Sequence, residues 1–374
     1  MENYLVILLL VIFVSVIAVY FWGRVRDQQG ASRPEETGKL PTQVSSPASV
    51  VPVKLPERWD LPPELAGFRR VEAFELTDAD HNALLARLTH IPRPPNGLHK
   101  LLSPQFLEGA TASELSELIL AEPAVAAKVL ATVNSPFYGL PRPVTSVEQA
   151  VAVLGMDAVR GICLRHMVSE SMRPADPGLQ PVFDKWWHAS ALASQLALRL
   201  GQRLGVPDPG AMVTQAVLSF LGHMVAMSLQ PAEATLANAR SGFLERTRRE
   251  QEALGLCAGE LGCLMLKQWD MPDAIIEDVR AIDRILTTPP KQLDTHRGLR
   301  LALSYYSARV AEKLATGEWA DLSEAAPEAL RGSEFFHLQT HFMVHPRLKL
   351  LAQDFRDPAF VAEMTNMLQS VRSL

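Results

Sequence analysis

"SELSELILAEPAVAAKVLATVNSPFYGLPRPVTSVEQAVAVLGMDAVRGICL", residues 113 to 164, decides the fold class, because its helix starts and stops are legible. Thr111-x-x-Glu114 places a capping box ahead of Leu115, Leu118 and Ile119. Pro123 restarts the chain as a first-turn proline, with Val125, Val129, Leu130 and Val133 on one stripe, and Asn134-Ser135-Pro136 ends that helix. Ser146-x-x-Gln149 reads as a second capping box before Ala150, Val151, Val153 and Leu154. Gly155 suits a left-handed C-terminal cap, and Asp157 begins the next helix. Apolar positions recur at three and four residues, and strand-type alternation is almost absent.

The same pattern extends in both directions. Thr77 opens a run through Leu84, Leu85 and Leu88 that Pro92 stops. Trp186 to Leu204 carries Leu192, Leu196 and Leu200 at i, i+4 spacing, and Gly210 to Leu229 is apolar nearly all round, which predicts a central, buried helix. Further helices are expected over about Ala258 to Gln268, Pro272 to Leu286 and Arg300 to Ala315. Asp357-Pro358 opens a terminal amphipathic helix through Phe360, Val361, Met364, Leu368 and Val371. Its stripe suits docking on its own domain or on another protein, with core packing the default. No internal repeat is found, so the expected fold is all-α: a compact array of short helices.

The N-terminus departs from this. Tyr4 to Trp22 (YLVILLLVIFVSVIAVYFW) contains no charge and one hydroxyl, at Ser15, and its length nearly matches a hydrocarbon core of ~30 Å. It lacks the basic region and cleavage pattern of a signal peptide and reads as an uncleaved membrane anchor. Only Glu2 precedes it, whereas Arg24, Arg26, Arg33 and Lys39 follow, so a single pass with the bulk of the chain in the cytoplasm is expected. From Gln28 to Pro63 the sequence is polar and proline-rich, the composition of an extended spacer.

Composition excludes little else. The 374 residues carry a net charge of −5, with bases and acids interleaved, so no nucleic-acid partner is indicated. Cys163, Cys257 and Cys263 form no CxxC and are odd in number, which fits buried thiols in a reducing compartment.

Residues 113 to 164 resemble the HDOD family, the output-type relatives of HD-domain phosphohydrolases: the Leu115 helix, Glu122-Pro123, Asn134-Ser135 with Tyr138-Gly139, and Ser146…Leu154-Gly155 stand in that family's order. "KWWHASALASQLALRL" resembles the opening of the HD-like half, and "ELGCLMLKQWDMP", with Trp269, resembles its Trp-x-x-Pro block. The resemblance covers the helical domain, 77–316 in two parts (77–175 and 180–316), and leaves outside it the anchor over 1–23, the linker over 24–76 and a C-terminal helical extension over 317–374.

In metal-dependent HD enzymes a histidine, an adjacent His-Asp pair and a later aspartate hold a divalent cation that activates water. By resemblance, "SFLGHMVAMSL" puts Gly222 at the histidine place and His223 at the aspartate place, and no register restores His-Asp. His188 stands at the first-ligand position, Ala258 where many relatives have a further histidine, and Ala308 at the final aspartate position. "VRAIDRI", Val279 to Ile285, lacks the paired histidines sometimes found there. Two imidazoles without a carboxylate lack the charge that hard cations prefer, so no metal, no cofactor and no catalytic residue is expected.

Asn134, Ser135, Tyr138 and Gly139, which could line a recognition groove between the two halves, and Trp269 are the candidate interaction residues, and the arginines of "ERTRRE", Glu245 to Glu250, could meet phosphate. The bland readings are packing roles for His188 and His223, a turn-fixing role for the Asn134 group and a solvated helix face for "ERTRRE". The expected function is a membrane-anchored regulatory module in bacterial signalling that binds a protein partner. A nucleotide-type sensor using the vestigial HD pocket, and a residual phosphohydrolase resting on His188 and His223, are the alternatives.

Overall fold

The computed structural model describes residues 60–292 and 295–371, and every regular element among them is a helix. The Tyr4–Trp22 span and nearly all of the spacer lie outside the described residues.

The helices of eight residues or more are α1 (Asp78–Leu88), α2 (Ala112–Leu120), α3 (Pro123–Val133), α4 (Val147–Leu154), α5 (Met156–Ser171), α6 (Gln180–Arg203), α7 (Pro209–Ser219), α8 (Leu221–Leu229), α9 (Phe243–Leu254), α10 (Ala258–Gln268), α11 (Asp273–Asp283), α12 (Thr295–Thr316), α13 (Phe336–Val344), α14 (Pro346–Asp354) and α15 (Pro358–Val371). The caps explain most boundaries. Thr77 accepts from the Asp80 N–H ahead of α1, and Thr111 and Glu114 form the full capping box of α2.

Two cap readings need correction. Ser146 accepts from Gln149 N, but the Gln149 side chain returns to Thr145 N, so the second box is displaced by one residue. Gly155 has φ 82 and ψ 160, positive but not left-handed helical, because it links two abutting helices as C-cap of α4 and N-cap of α5. Helix α6 also begins six residues before the expected Trp186, since Pro181 takes a first-turn position.

Small and aliphatic residues along α6 (Ala189, Leu192, Ala193, Leu196, Ala197 and Leu200) are buried, and α6 packs most extensively against α12 and α7. Pro209–Leu229 is long and apolar enough to cross a membrane by composition, yet 94% of its most apolar 18 residues are buried in the domain. It is interrupted at Phe220, where His223 N donates to Phe220 O at 3.2 Å, a tighter i→i+3 turn that separates α7 from α8.

One core runs from Leu65 to Met364. Residues expected in the linker already belong to it: Leu65 is buried, and Arg70 is buried with Nη2 3.4 Å from Glu260 of α10. Composition missed this docking because Arg70 is buried by a carboxylate far along the chain. At the other end, α15 packs on α6 and on the turn Pro136–Tyr138, with Phe360 4.8 Å beneath the Arg203 guanidinium and Arg203 paired to Asp354 at 2.6 Å. Of its two possible destinations, the terminal helix takes its own domain.

Candidate functional site

Helix α8 brings the Gly222-His223 pair into the centre of the domain, and the two residues face different neighbours. Gly222 lies against the first turn of α10, where a Cβ would overlap the Ala258 carbonyl. Gly262, one turn along, is also close: a Cβ there would lie 3.0 Å from Gly222 N and 3.1 Å from its Cα. The α8–α10 crossing is therefore a backbone-to-backbone contact that glycine permits.

His223 points away from this crossing. Its ring stacks on Trp186 of α6 at 4.5 Å with a 17° interplanar angle. Beyond it stands a buried group of charges. Arg246 of α9 places Nη1 2.6 Å from Glu312 of α12 and its guanidinium 4.8 Å from the Trp186 ring. Arg309 meets the second Glu312 oxygen at 2.7 Å and covers the Phe243 ring at 3.6 Å. Glu250 accepts from Ala258 N at 2.8 Å, while Arg246 Nε and His223 Nδ1 are 3.9 and 4.0 Å from it, beyond hydrogen-bond range.

His188 does not join His223. Two residues after Trp186 it is turned by about 200° around α6, half-buried beside Asp184 and Arg165, so the ring facing His223 is Trp186. Both backbone groups of Ala258 are engaged, the N–H by Glu250 and the carbonyl against Gly222. Ala308 is fully buried, and the carboxylate of that helix stands one turn later, at Glu312.

The two imidazoles thus do not converge, and among the described residues no group of three or more His, Cys, Asp or Glu side chains is arranged for a metal. Where the resemblance places a cation, the side chains about His223 are Trp186, Glu250 and Arg246, with Glu312 held between Arg246 and Arg309. The carboxylates there are taken up by Arg246, Arg309 and the Ala258 N–H, so this donor set does not fit a divalent cation.

A match to the HDOD domain family spans residues 91–285, just over half of the chain. The chain belongs to the HDOD family. No curated protein matches it. Among solved structures it is similar to a candidate phosphohydrolase from Shewanella amazonensis (TM-score 0.54, 20% identity, 77% of this chain and 98% of that one). It is also similar to an HDOD domain protein of unknown function from Geobacter sulfurreducens (TM-score 0.53, 16% identity, 78% and 98%). A third is a candidate signal transduction protein from Marinobacter aquaeolei (TM-score 0.51, 18% identity, 80% and 69%). At these identities the likeness establishes the HDOD fold.

The family motifs mostly build the HDOD core. Asn134 staples its turn, donating to Leu130 O and Val144 O at 2.9 and 2.8 Å and accepting from Val144 N at 2.7 Å. Gly139 closes that turn in the left-handed region, at φ 53. Ser135 and Tyr138 are half-buried, and the Pro136–Tyr138 turn packs against α15. Trp269 is fully buried, so as an interaction residue it is corrected to a core residue.

The expectation for "ERTRRE" is also corrected. Glu245 and Arg249 are exposed and pair with each other, but Arg246 and Glu250 point inward. The signal was present: Phe243, Arg246, Thr247 and Glu250 follow i, i+3, i+4, i+7, the spacing of one buried face. Charge masked the stripe, and the partners that make it buriable lie on α10 and α12.

Burial pushes the His223 imidazole well below its ordinary value, and Arg246 lowers it further, so His223 is neutral. Burial also raises Glu250 to about 7, only partly opposed by Arg246. The folded value lies above the ordinary 4.5, so the protonated carboxyl favours the fold. Stability from this group is complete below pH ~4.5 and is lost as pH rises through about 7, a change of about 3 kcal/mol. Glu250→Gln keeps an acceptor for Ala258 N and is expected to flatten that slope and stabilise the domain at pH 8. Urea unfolding of both proteins from pH 4.5 to 8 checks this, and parallel profiles would contradict it.

A cavity of ≈ 10 Å³ beside this group is lined by Trp186, His223, Gln230, Thr235, Arg246 and Glu250. That is room for about one water, whereas small-molecule sites measure roughly 300–1,000 Å³. The nucleotide sensor expected in the vestigial HD pocket has no room there.

Proposed function

We propose that this chain is a membrane-anchored, non-catalytic HDOD module that acts in signalling by binding a protein partner. In this reading residues 1–23 anchor it, the polar stretch that follows spaces it from the bilayer, the helical domain, which already includes Leu65 and Arg70, carries recognition, and 317–374 brace it. The observation that carries the non-catalytic reading is the Arg246–Glu312–Arg309 group, whose guanidinium charge stands beside His223 where HD enzymes gather metal ligands. An uninterrupted apolar run of membrane length followed by basic residues supports the anchor. The signalling role draws on family membership, in keeping with a fold neighbour described as a candidate signal transduction protein.

The test is metal content and phosphodiesterase turnover of the full chain in non-ionic detergent after loading with Mn²⁺, Fe²⁺ or Mg²⁺, beside a His188→Ala, His223→Ala double variant. Neither stoichiometric metal nor turnover is expected. Turnover that disappears in the double variant would overturn the non-catalytic reading.

A further inference from the structure

A wide cleft lies away from the His223 group. About 590 Å³ opens between α5, α7, α11 and α12, within the range of small-molecule sites. A second cavity of about 370 Å³ adjoins it and shares Leu107, Arg160 and Asp208. Arg160 of α5 therefore stands in the walls of both.

Arg160 is 6% exposed, and its Nη2 pairs with Asp157 at 2.7 Å. Its Nε has no partner among the described residues. The pair is seated against the first turn of α7, where any side chain at Gly210 would overlap it. Across the cleft, Arg300 uses Nη2 on both oxygens of Asp278 at 3.2 Å, and its Nε is likewise unpartnered. Arg160 and Arg300 both line the cleft, and each is held to its carboxylate through Nη2.

The carboxylates in the wall are already engaged. Asp278 accepts from Gln215 as well as Arg300, with Arg297 at 3.8 Å, and Asp208 caps α7 through Ala211 N. Beside the two guanidinium groups the wall offers an apolar lining of Leu102, Leu107, Pro272 and Ile275.

We propose that this cleft binds a small organic oxyanion, a carboxylate or phosphate ester on a flat apolar body, with its acidic oxygens on Arg160 and Arg300 and its body along the apolar wall. Charge-assisted bonds to guanidinium favour an anionic acceptor over a neutral one of the same shape. The site is separate from the vestigial HD residues and does not depend on the partner-binding reading.

Two matched pairs of probes test it on the full chain in detergent: benzoate against benzamide, and AMP against adenosine, by calorimetric titration and thermal melting. In at least one pair the anion is expected to bind about tenfold or more tighter than its neutral partner and to raise the melting temperature. Benzoate alone would identify the source as a carboxylate, AMP alone as a phosphate ester. Two variants keep the core intact. Arg300→Gln removes a partly exposed guanidinium, and Ala274→Trp fills the exposed lip of the cleft. Each is expected to weaken the anion about tenfold while leaving the unliganded chain folded. The proposal is overturned if neither anion binds at millimolar concentration, if the neutral partners bind as tightly, or if binding survives both substitutions.

Discussion

Gly222→His, which would write a histidine into the place that HD enzymes use, is expected to prevent folding. The Cβ alone would overlap the Ala258 carbonyl, and the neighbouring turn offers no relief because Gly222 N and Cα already lie close to Gly262. Backbone cannot rotate away as a side chain can, so α8 and α10 would have to separate along a buried crossing. The tractable measurement is Gly222→Ala. In an open helix this change would stabilise by about 1 kcal/mol through helix propensity. Here the sign should reverse, with a loss of about 3 kcal/mol or more by urea unfolding of the full chain. A Gly222→Ala protein as stable as the parent would show that the crossing is not as close as described.

The second large effect is expected at Glu312. It is the shared carboxylate of Arg246 and Arg309, both almost completely buried, and Glu312→Ala leaves two guanidinium groups facing each other without it. Removing one partner of a buried charge group costs about 3–5 kcal/mol, far above a surface pair. The acid side carries a signature of the same group. Burial by itself would raise Glu312, but the two arginines bring it down to about 2. Its stabilisation is complete above the ordinary 4.5 and is lost as pH falls toward 2, about 3 kcal/mol in all. Glu312→Ala should therefore unfold more easily at pH 7 and lose part of the parent's acid sensitivity. Equal stabilities at pH 7 would rule out the charge group as a structural centre.

Much of the helical order was legible because its signals are local. Thr77, Thr111, Pro123 and Pro358 each announce a helix within four residues of the chain. The displaced cap at Thr145 and the abutting helices at Gly155 were less so, since each depends on backbone angles that neighbouring helices impose. The terminal stripe announced an apolar face without its destination, which the Pro136–Tyr138 turn and Arg203 supply. At the candidate site, the disrupted His-Asp pattern was visible as letters. What replaced it was not, because Arg246 and Glu250 look like surface residues until Glu312 and Ala258 are brought to them.

The amino-acid order by itself determined the all-helical class, the HDOD membership and the missing His-Asp pair, since capping, periodicity and motif spacing are written in adjacent residues. Only the tertiary structure decided which way each residue faces: that Gly222 meets backbone, that Trp186 rather than His188 meets His223, and that guanidinium stands beside that imidazole. Whether a charge can be buried depends on the partners that folding brings to it from distant helices, and spacing along one helix does not contain that information.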